Sequence, residues 1–156
     1  MSELWAPWRI NYVQDKKAKG CVFCKILKAK NDTQDNVLLR SKHCFAVLNK
    51  FPYNNGHTLI VTNRHIKSLE QLKDQELLNI NKTLISVKSR LKKILKPDGF
   101  NIGINIEKSA GAGIVGHIHI HLVPRWTGDT NFMPVTASTK IISQSLKELS
   151  RQFKNK

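Results

Sequence analysis

The sequence is poor in cysteine and in acidic residues, and it has no long hydrophobic run. Three cysteines among 156 residues are too few for a disulfide framework. No apolar stretch approaches the roughly 18 residues that a membrane-spanning helix requires. Residues 1–9 also lack the basic start and the apolar centre of a signal peptide. We therefore expect a cytoplasmic protein without a membrane partner.

The shortage of acidic residues leaves the chain strongly basic. Lysine and arginine together number 26 against 11 aspartates and glutamates, which gives a formal net charge of +15. Such a charge attracts anions and is compatible with nucleic-acid binding. However, the basic residues are scattered, and no aromatic residues alternate with them to stack bases. A solvated, lysine-rich surface is the favoured interpretation, and nucleic acid is not an expected partner.

The hydrophobic pattern predicts one domain of the α+β class. The chain is long enough to bury its own core, so we expect a single domain over residues 1–156, with residues 1–20 irregular. Hairpin and loop connections, rather than regular βαβ alternation, favour a mainly antiparallel five-stranded sheet. The predicted strands are 37–40, 43–48, 57–62, 100–107 and 117–123.

Two helices complete the predicted architecture. Apolar residues recur every three or four positions from Leu77 to Ile94, which predicts a long central helix with Asp74 as its N-cap and Pro97 at its end. A second, C-terminal helix is predicted over residues 140–153. Pro124 is predicted to end the last strand, because proline cannot donate to a central ladder.

Three histidines alternate with apolar residues in the stretch His117-Ile-His-Ile-His121-Leu-Val. Successive side chains of a strand point to opposite faces, so the pattern predicts three imidazoles on one face and a packed apolar face opposite. Just upstream, Gly111, Gly113 and Gly116 allow the backbone to approach an anion closely. Imidazole near neutral pH acts as a nucleophile, general acid or metal ligand. The combination indicates chemistry at phosphorus, with a metal site or a polar strand as the alternative.

Two of the cysteines form a Cys21-Val-Phe-Cys24 motif. Such a pair is typical of redox centres, but no βαβ pattern of the thioredoxin kind surrounds it. It is equally typical of half a tetrahedral zinc site. Cys44 lies in an apolar strand and is predicted to be a buried small hydrophobe.

The histidine stretch resembles the histidine triad signature of the HIT superfamily. Asn49, followed by Gly56-His57-Thr-Leu-Ile-Val, resembles the upstream segment of that superfamily, so that the resemblance covers about residues 21–125. It implies a HIT-like fold, nucleotidyl hydrolase or transferase activity and a homodimer.

Two flanking segments narrow the resemblance to one branch. Leu4-Trp-Ala-Pro-Trp-Arg9 and Arg125-Trp-Thr-Gly-Asp-Thr-Asn-Phe132 are similar to bacterial diadenosine tetraphosphate phosphorylases of HIT type, and related hydrolases share part of this pattern. The chain departs from many HIT members at Ile114, where they carry a side-chain hydrogen-bond donor. Phosphate binding is therefore expected to depend more on backbone amides and imidazoles.

The resemblance also implies roles for individual residues. His119, the middle histidine, matches the nucleophile that forms a covalent nucleotidyl intermediate. His121 and His57 match groups that stabilise charge on the transferred phosphoryl group, and Asn49 matches a ribose contact. The full set of implied substrate-binding residues is Asn49, His57, Asn105, Ala112, Gly113, His121 and Trp126.

A subset of bacterial HIT proteins holds a structural zinc ion, and the matching positions are present in this chain. They are Cys21, Cys24, His65 and His117. Two thiolates and two imidazoles make a closed tetrahedral Zn²⁺ site. The resemblance therefore implies that His117 anchors zinc instead of contacting phosphate.

We thus expect an enzyme that cleaves diadenosine polyphosphates, either by phosphorolysis to ATP and ADP or by hydrolysis. Nucleotides are the expected substrates, and phosphate is an expected co-substrate. The nearest alternative is adenosine phosphoramidate hydrolysis, as in the Hint branch. Others are action on adenylylated nucleic-acid ends, as in the aprataxin branch, and a nucleotide-binding sensor with weak turnover.

Overall fold

The computed structural model describes residues 20–129 and 142–155. The predicted irregular segment at residues 1–20 lies, apart from Gly20, outside the described residues, and so do the first two positions of the predicted C-terminal helix. Within the described ranges, no helix combines the length and hydrophobicity needed to cross a bilayer.

Five strands and three α-helices follow one another within residues 20–129 and 142–155. In order they are α1 (Val22–Ala29), β1 (Val37–Arg40), β2 (Cys44–Leu48), β3 (Thr58–Thr62), α2 (Asp74–Leu95), β4 (Gly99–Ile104), β5 (His119–Arg125) and α3 (Leu146–Lys154). A short 3₁₀ helix, Leu69–Gln71, precedes α2. The strands form one sheet in the order β1-β2-β3-β5-β4, and every neighbouring pair is antiparallel. The predicted α+β class and antiparallel sheet are confirmed.

The long helix α2 packs one face against the sheet. Its buried positions include Ile80, Val87 and Leu91, which recur at helical spacing. Each such side chain contributes about 1.5–3 kcal/mol when it leaves water. They join the inner faces of β2, β3 and β5 and the buried side of α3 in the main core. Cys44 belongs to this core and is fully buried, as predicted.

A second, smaller cluster covers the opposite face of β1, β2 and β3. The short helix α1 lies there and contributes Phe23, which is 3% exposed and packs with Phe45, Leu59 and Val61. These strands are therefore covered on both faces, so their sequences are almost continuously apolar.

Several predicted boundaries differ from the structure. Helix α2 begins at Asp74, with Lys73 as N-cap, because the Glu76 carboxylate accepts the Lys73 backbone N–H at 2.9 Å. Helix α3 begins at Leu146 and not near residue 140. Ser145 caps it by accepting the Glu148 N–H at 3.2 Å.

The prediction that Pro124 ends the histidine strand is wrong, since β5 runs through Pro124 to Arg125. Pairing with β3 stops at Leu122. Pro124 has no N–H, but at this position no hydrogen bond between β5 and β3 is lost. The Pro124 carbonyl instead accepts a hydrogen bond of 2.9 Å from the Asn54 side chain. Strand β4 ends at Ile104, three residues earlier than the predicted end at Glu107.

Candidate active site and metal centre

The histidines of the motif share one face of the sheet. Ile120 and Leu122 point into the main core under α2, whereas His119 and His121 point the other way. His117 lies just before β5, and the ring centroids of His119 and His121 are 5.1 Å apart. The alternation predicted from the sequence is confirmed.

His119 is held in one tautomer by its own strand. Its Nδ1 lies 2.9 Å from the backbone carbonyl oxygen of His117. Because a carbonyl oxygen only accepts, Nδ1 carries the proton and Nε2 carries a lone pair. Burial lowers the pKa of His119, although this hydrogen bond opposes the shift. The ring is therefore neutral near neutral pH, with its Nε2 lone pair available.

His57 and His121 form a direct pair with the opposite polarity. The His57 Nδ1 accepts the Tyr53 backbone N–H at 3.0 Å and faces the Asn49 side-chain amide at 3.3 Å, so the proton of His57 lies on Nε2. His57 Nε2–H then donates to His121 Nδ1 over 2.8 Å. It follows that His121 carries its proton on Nε2. That buried atom has no hydrogen-bond partner among the described residues.

Both members of this pair stay uncharged well below neutral pH. Burial, together with the nearby His121 and His119, lowers the pKa of His57 to about 3. Burial and the neighbouring His119 lower the pKa of His121 to about 4. An unpartnered buried N–H is costly by itself. The Nε2–H of His121 is therefore suited to donate to an anionic ligand.

Sequence reasoning missed Tyr53, which covers the histidine pair from the solvent side. Its ring lies 4.5 Å from that of His57 and is stacked 5.6 Å from that of His121 with an interplanar angle of 8°. The side chain is 52% exposed. The available signal was an aromatic residue inside a Pro/Asn/Gly turn that leads directly to His57.

The turn before His57 also requires glycine. Gly56 has a φ of 77°, and a Cβ at this position would approach the Leu95 side chain to 2.6 Å. Asn54 fixes the other side of the turn, since its side-chain amide donates to the Pro124 carbonyl and to Asp129. The position of His57 therefore depends on contacts with both α2 and the end of β5.

The two predicted asparagines differ in where they lie relative to the histidines of the site. Asn49 contacts His57, and its Oδ1 accepts the Phe51 N–H at 3.0 Å. Asn105 directly follows β4, whose last residue Ile104 pairs with Ile120. Its side-chain nitrogen faces the glycine loop, 3.9 Å from where a Cβ on Gly111 would lie.

The glycine loop connects β4 to the triad. Its two predicted anion-binding amides differ in whether they already donate a hydrogen bond within the protein. The Ala112 N–H already donates to the Glu107 carbonyl at 3.2 Å. The Gly113 N–H has no hydrogen-bond partner among the described residues, and a Cβ added to Gly113 would meet no atom within 4 Å. Gly113 thus has both a free donor and open space around it.

Trp126 lies far from the triad within its own chain. At about 3.3 Å per residue, the end of β5 at Arg125 lies roughly 13 Å beyond His121. The Arg125 guanidinium donates to Asp129 and to Asn101, and the Trp126 N–H donates to Asp129. The structure shows no contact between Trp126 and the described triad residues.

The other four predicted residues lie together next to the triad. The ligand atoms of Cys21, Cys24, His65 and His117 are all within 4.8 Å of one another. His117 Nδ1 faces the two sulfur atoms at 3.3 and 3.7 Å, and His65 Nδ1 lies 3.3 Å from Cys24 Sγ. The cluster could hold a metal ion, and its donor set is the one that Zn²⁺ prefers.

A further contact orients the metal-facing nitrogen of His117. Its Nε2–H donates to the Thr62 backbone carbonyl at 2.8 Å, which leaves the Nδ1 lone pair for a metal. The His117 ring is fully buried and rests edge-on against Phe23 of α1. Burial, with the neighbouring Cys21 thiol, raises the pKa of the Cys24 thiol, and a bound cation favours the thiolate instead.

Comparison with known proteins places the chain in a family. The HIT domain model matches residues 30–128. The AP-4-A phosphorylase of Mycobacterium tuberculosis is 36% identical over an alignment that covers 97% of this chain and 82% of that protein. The chain therefore belongs to the HIT domain family, and it is an enzyme of the nucleotide hydrolase and transferase class.

Solved structures agree with the fold. A Zn-bound histidine triad family protein from Mycobacterium smegmatis superposes with a TM-score of 0.71 at 24% identity, covering 87% of this chain and 91% of that one. A hypothetical histidine triad nucleotide-binding protein from Sulfolobus tokodaii gives a TM-score of 0.67 at 26% identity, covering 86% and 93%. The predicted HIT-like fold is confirmed.

The depressed pKa of the histidine pair predicts an acid-sensitive stability. The unfolded chain takes up protons at both histidines near pH 6.5, whereas in the folded chain the pKa of His57 is about 3 and the pKa of His121 is about 4. Stability is then full above pH 6.5 and is lost as the pH falls towards 4. We expect His57→Gln to lose less stability than wild type between about pH 7 and pH 5, by on the order of 1–2 kcal/mol. Urea unfolding at both pH values measures this, and equal losses would contradict the assignment.

Proposed function

We propose that the chain cleaves diadenosine polyphosphates through a covalent adenylyl intermediate on His119. The observation that carries the proposal is the hydrogen bond from His119 Nδ1–H to the His117 carbonyl, which leaves the Nε2 lone pair free to attack phosphorus. The AP-4-A phosphorylase similarity, over 82% of that protein, supports this substrate class.

The reaction has two displacement steps. In the first, His119 Nε2 forms a bond to the α-phosphorus, and the bond from that phosphorus to the leaving nucleoside polyphosphate breaks. With diadenosine tetraphosphate the leaving group is ATP. In the second, an oxygen of inorganic phosphate forms a bond to the same phosphorus, the phosphorus–nitrogen bond breaks, and ADP leaves. Water in place of phosphate would release AMP.

The phosphoryl oxygens are bound by neutral donors. The buried Nε2–H of His121 has no protein partner among the described residues, and the free Gly113 N–H lies in the loop that returns to the triad. A donor aimed at developing charge stabilises the transition state more strongly in a site without water. Ile114 offers no side-chain donor. We therefore expect these two N–H groups, together with Asn105, to bind the phosphoryl oxygens.

His57 acts through His121 and not on the phosphate. Both of its ring nitrogens are occupied, Nδ1 by the Tyr53 N–H and Nε2 by His121. We therefore revise its expected role as a direct phosphate contact to that of a residue that sets the tautomer of His121. Asn49, which contacts His57, stays our proposed ribose contact.

We propose that the cysteine and histidine cluster holds a structural zinc ion. The four ligand atoms, all within 4.8 Å of one another, would supply the two thiolates and two imidazoles of a structural zinc site and would leave no ligand position for substrate. A bound ion would tie α1, the segment after β3 and the residue before β5 together. All three cysteines are free thiols, which supports the proposal of a reducing, cytoplasmic location.

We further propose that the active form is a homodimer. Strand β4 is at the edge of the sheet, and Ile102 on it is 52% exposed. An unpaired edge with an exposed apolar side chain is a template for pairing with a second copy. On α2, Leu78 and Ile85 are 58% and 59% exposed and add apolar surface.

Phosphate dependence tests the reaction. Incubation with diadenosine tetraphosphate and inorganic phosphate should give ATP and ADP in equal amounts, because phosphate accepts the adenylyl group. Chromatography of the products with and without phosphate measures this. Equal ATP and AMP in the presence of saturating phosphate would contradict the phosphorylase assignment and indicate hydrolysis. Turnover of an adenosine phosphoramidate alone would instead favour the Hint type.

Removal of the nucleophile tests the catalytic role of His119. We expect His119→Ala to lower kcat by about 10³-fold or more, since no other described residue offers an oriented lone pair at this position. His43→Ala is the matched control, because His43 lies outside the site and should keep wild-type activity. Full activity of His119→Ala would refute the covalent route.

Zinc content tests the metal centre. A Cys21→Ser, Cys24→Ser double variant should lose bound zinc, because it removes both thiolate ligands. Cys44→Ala removes a cysteine outside the cluster and should retain it. Elemental analysis of the purified proteins gives the result, and equal zinc in the double variant and wild type would exclude this ligand set.

A further inference from the structure

An ion pair between a buried carboxylate and a partly exposed arginine lies outside the histidine site, at the start of α2. Arg64 follows β3 and forms two hydrogen bonds of 2.7 Å with the Glu76 carboxylate, from Nε and from Nη2. Glu76 is only 3% exposed, and no other charged residue among the described ones is as buried. Such a forked geometry holds both partners in one orientation.

The same two side chains fix three pieces of backbone. Glu76 also accepts the Lys73 N–H at 2.9 Å and so caps α2. Arg64 Nη2 also donates to the Gln71 carbonyl at 2.6 Å, at the end of the 3₁₀ helix. The pair therefore ties the N-terminus of the longest helix to the segment that leaves β3.

That segment presents one of the four clustered metal ligands. His65 directly follows Arg64, and its side chain is exposed to solvent. Among the described residues its hydrogen-bonding contact is with Cys24 Sγ, at 3.3 Å. His117, by contrast, is buried and anchored through its own ring by the Thr62 carbonyl. The His65 ring also packs edge-on against the His117 ring, with centroids 5.0 Å apart, so its position depends on this neighbour and on its own backbone.

The backbone on both sides of His65 is held by hydrogen bonds. The Thr62 hydroxyl donates to the Arg64 carbonyl at 2.8 Å, and the Ile66 carbonyl accepts the Ile118 N–H at 2.7 Å. Arg64 is the residue in this stretch that connects it to α2. Its side chain thus anchors the segment that carries His65 to the 22-residue helix α2.

We propose that the Arg64–Glu76 pair is a positioning device for the metal centre, fixing the backbone that presents His65 to the metal. The inference rests on the proposed metal centre and names two residues outside its ligand shell. Without the pair, metal binding would have to order the segment at an entropic cost. Partners that orient metal ligands typically change affinity by about 10- to 100-fold.

Zinc affinity of Glu76→Gln tests the proposal. Competition with a chromophoric chelator should show binding about 10-fold or more weaker than in wild type. Glu148→Gln is the control for removing an arginine-paired carboxylate from the first turn of a helix, at a more exposed position. Glu148 also lies at the third position of its helix and pairs with an arginine, Arg151, but it is far from the cluster in the sequence and on α3. The control should bind zinc as wild type does.

A double-variant cycle separates positioning from general destabilisation. If Glu76 acts through His65, the Glu76→Gln change should have no further effect on zinc affinity once His65→Ala is present. Arg64→Lys keeps the charge but loses the fork, so it should weaken binding less than Glu76→Gln does. Arg64→Lys also gives an answer if Glu76→Gln does not fold, since unchanged affinity in this variant would overturn the proposal.

The remaining outcomes are distinguishable. Wild-type affinity in Glu76→Gln, or the same fold-loss with and without His65, would overturn the positioning role while leaving the metal centre intact. Absence of zinc binding by the wild-type protein would show that the metal centre itself is wrong, and the inference would fail with it.

Discussion

The hydrogen bond from His119 Nδ1–H to the carbonyl of His117 is the constraint on which the rest of the site depends. It connects the proposed nucleophile, His119, to a residue of the metal cluster, His117. The bond is local, because the His119 ring reaches back to the carbonyl two residues earlier, where the chain enters β5. A metal bound to the His117 ring would hold the same residue whose carbonyl orients His119.

The four histidines on this face differ in where their protons lie. His57 and His121 carry them on Nε2, because their Nδ1 atoms accept a backbone N–H and an imidazole N–H respectively. His117 carries its proton on Nε2, because that atom donates to the Thr62 carbonyl. His119 alone carries its proton on Nδ1. In the proposed roles, the same side chain type serves as metal ligand, nucleophile, anion donor and support, and the difference comes from the hydrogen-bond partners.

Much of this arrangement could be predicted from residue order. Alternation within a strand put the imidazoles opposite Ile120 and Leu122, and the family resemblance brought Cys21, Cys24, His65 and His117 together across the chain. Helix α2 was visible in its periodic apolar residues. These features follow from local geometry or from a specific motif.

The rest depended on contacts that residue order does not contain. The stacking of Tyr53 on His121 needs the fold of the turn before His57, and the tautomer of His57 needs the Tyr53 backbone N–H. Pro124 continues β5 because β3 is too short to pair with it, which only the register reveals. Ala112 was expected to offer its amide to phosphate, but the turn at Glu107 already uses that amide.

The tautomer of His119 is the most direct test of this account. Long-range ¹H–¹⁵N spectra of the imidazole rings in the ligand-free protein near neutral pH, assigned by comparison with His119→Gln, report which nitrogen carries the proton. The account predicts that His119 is neutral and protonated on Nδ1, and that His57 and His121 are neutral and protonated on Nε2. A proton on His119 Nε2 would contradict it, because the attacking lone pair would then be absent.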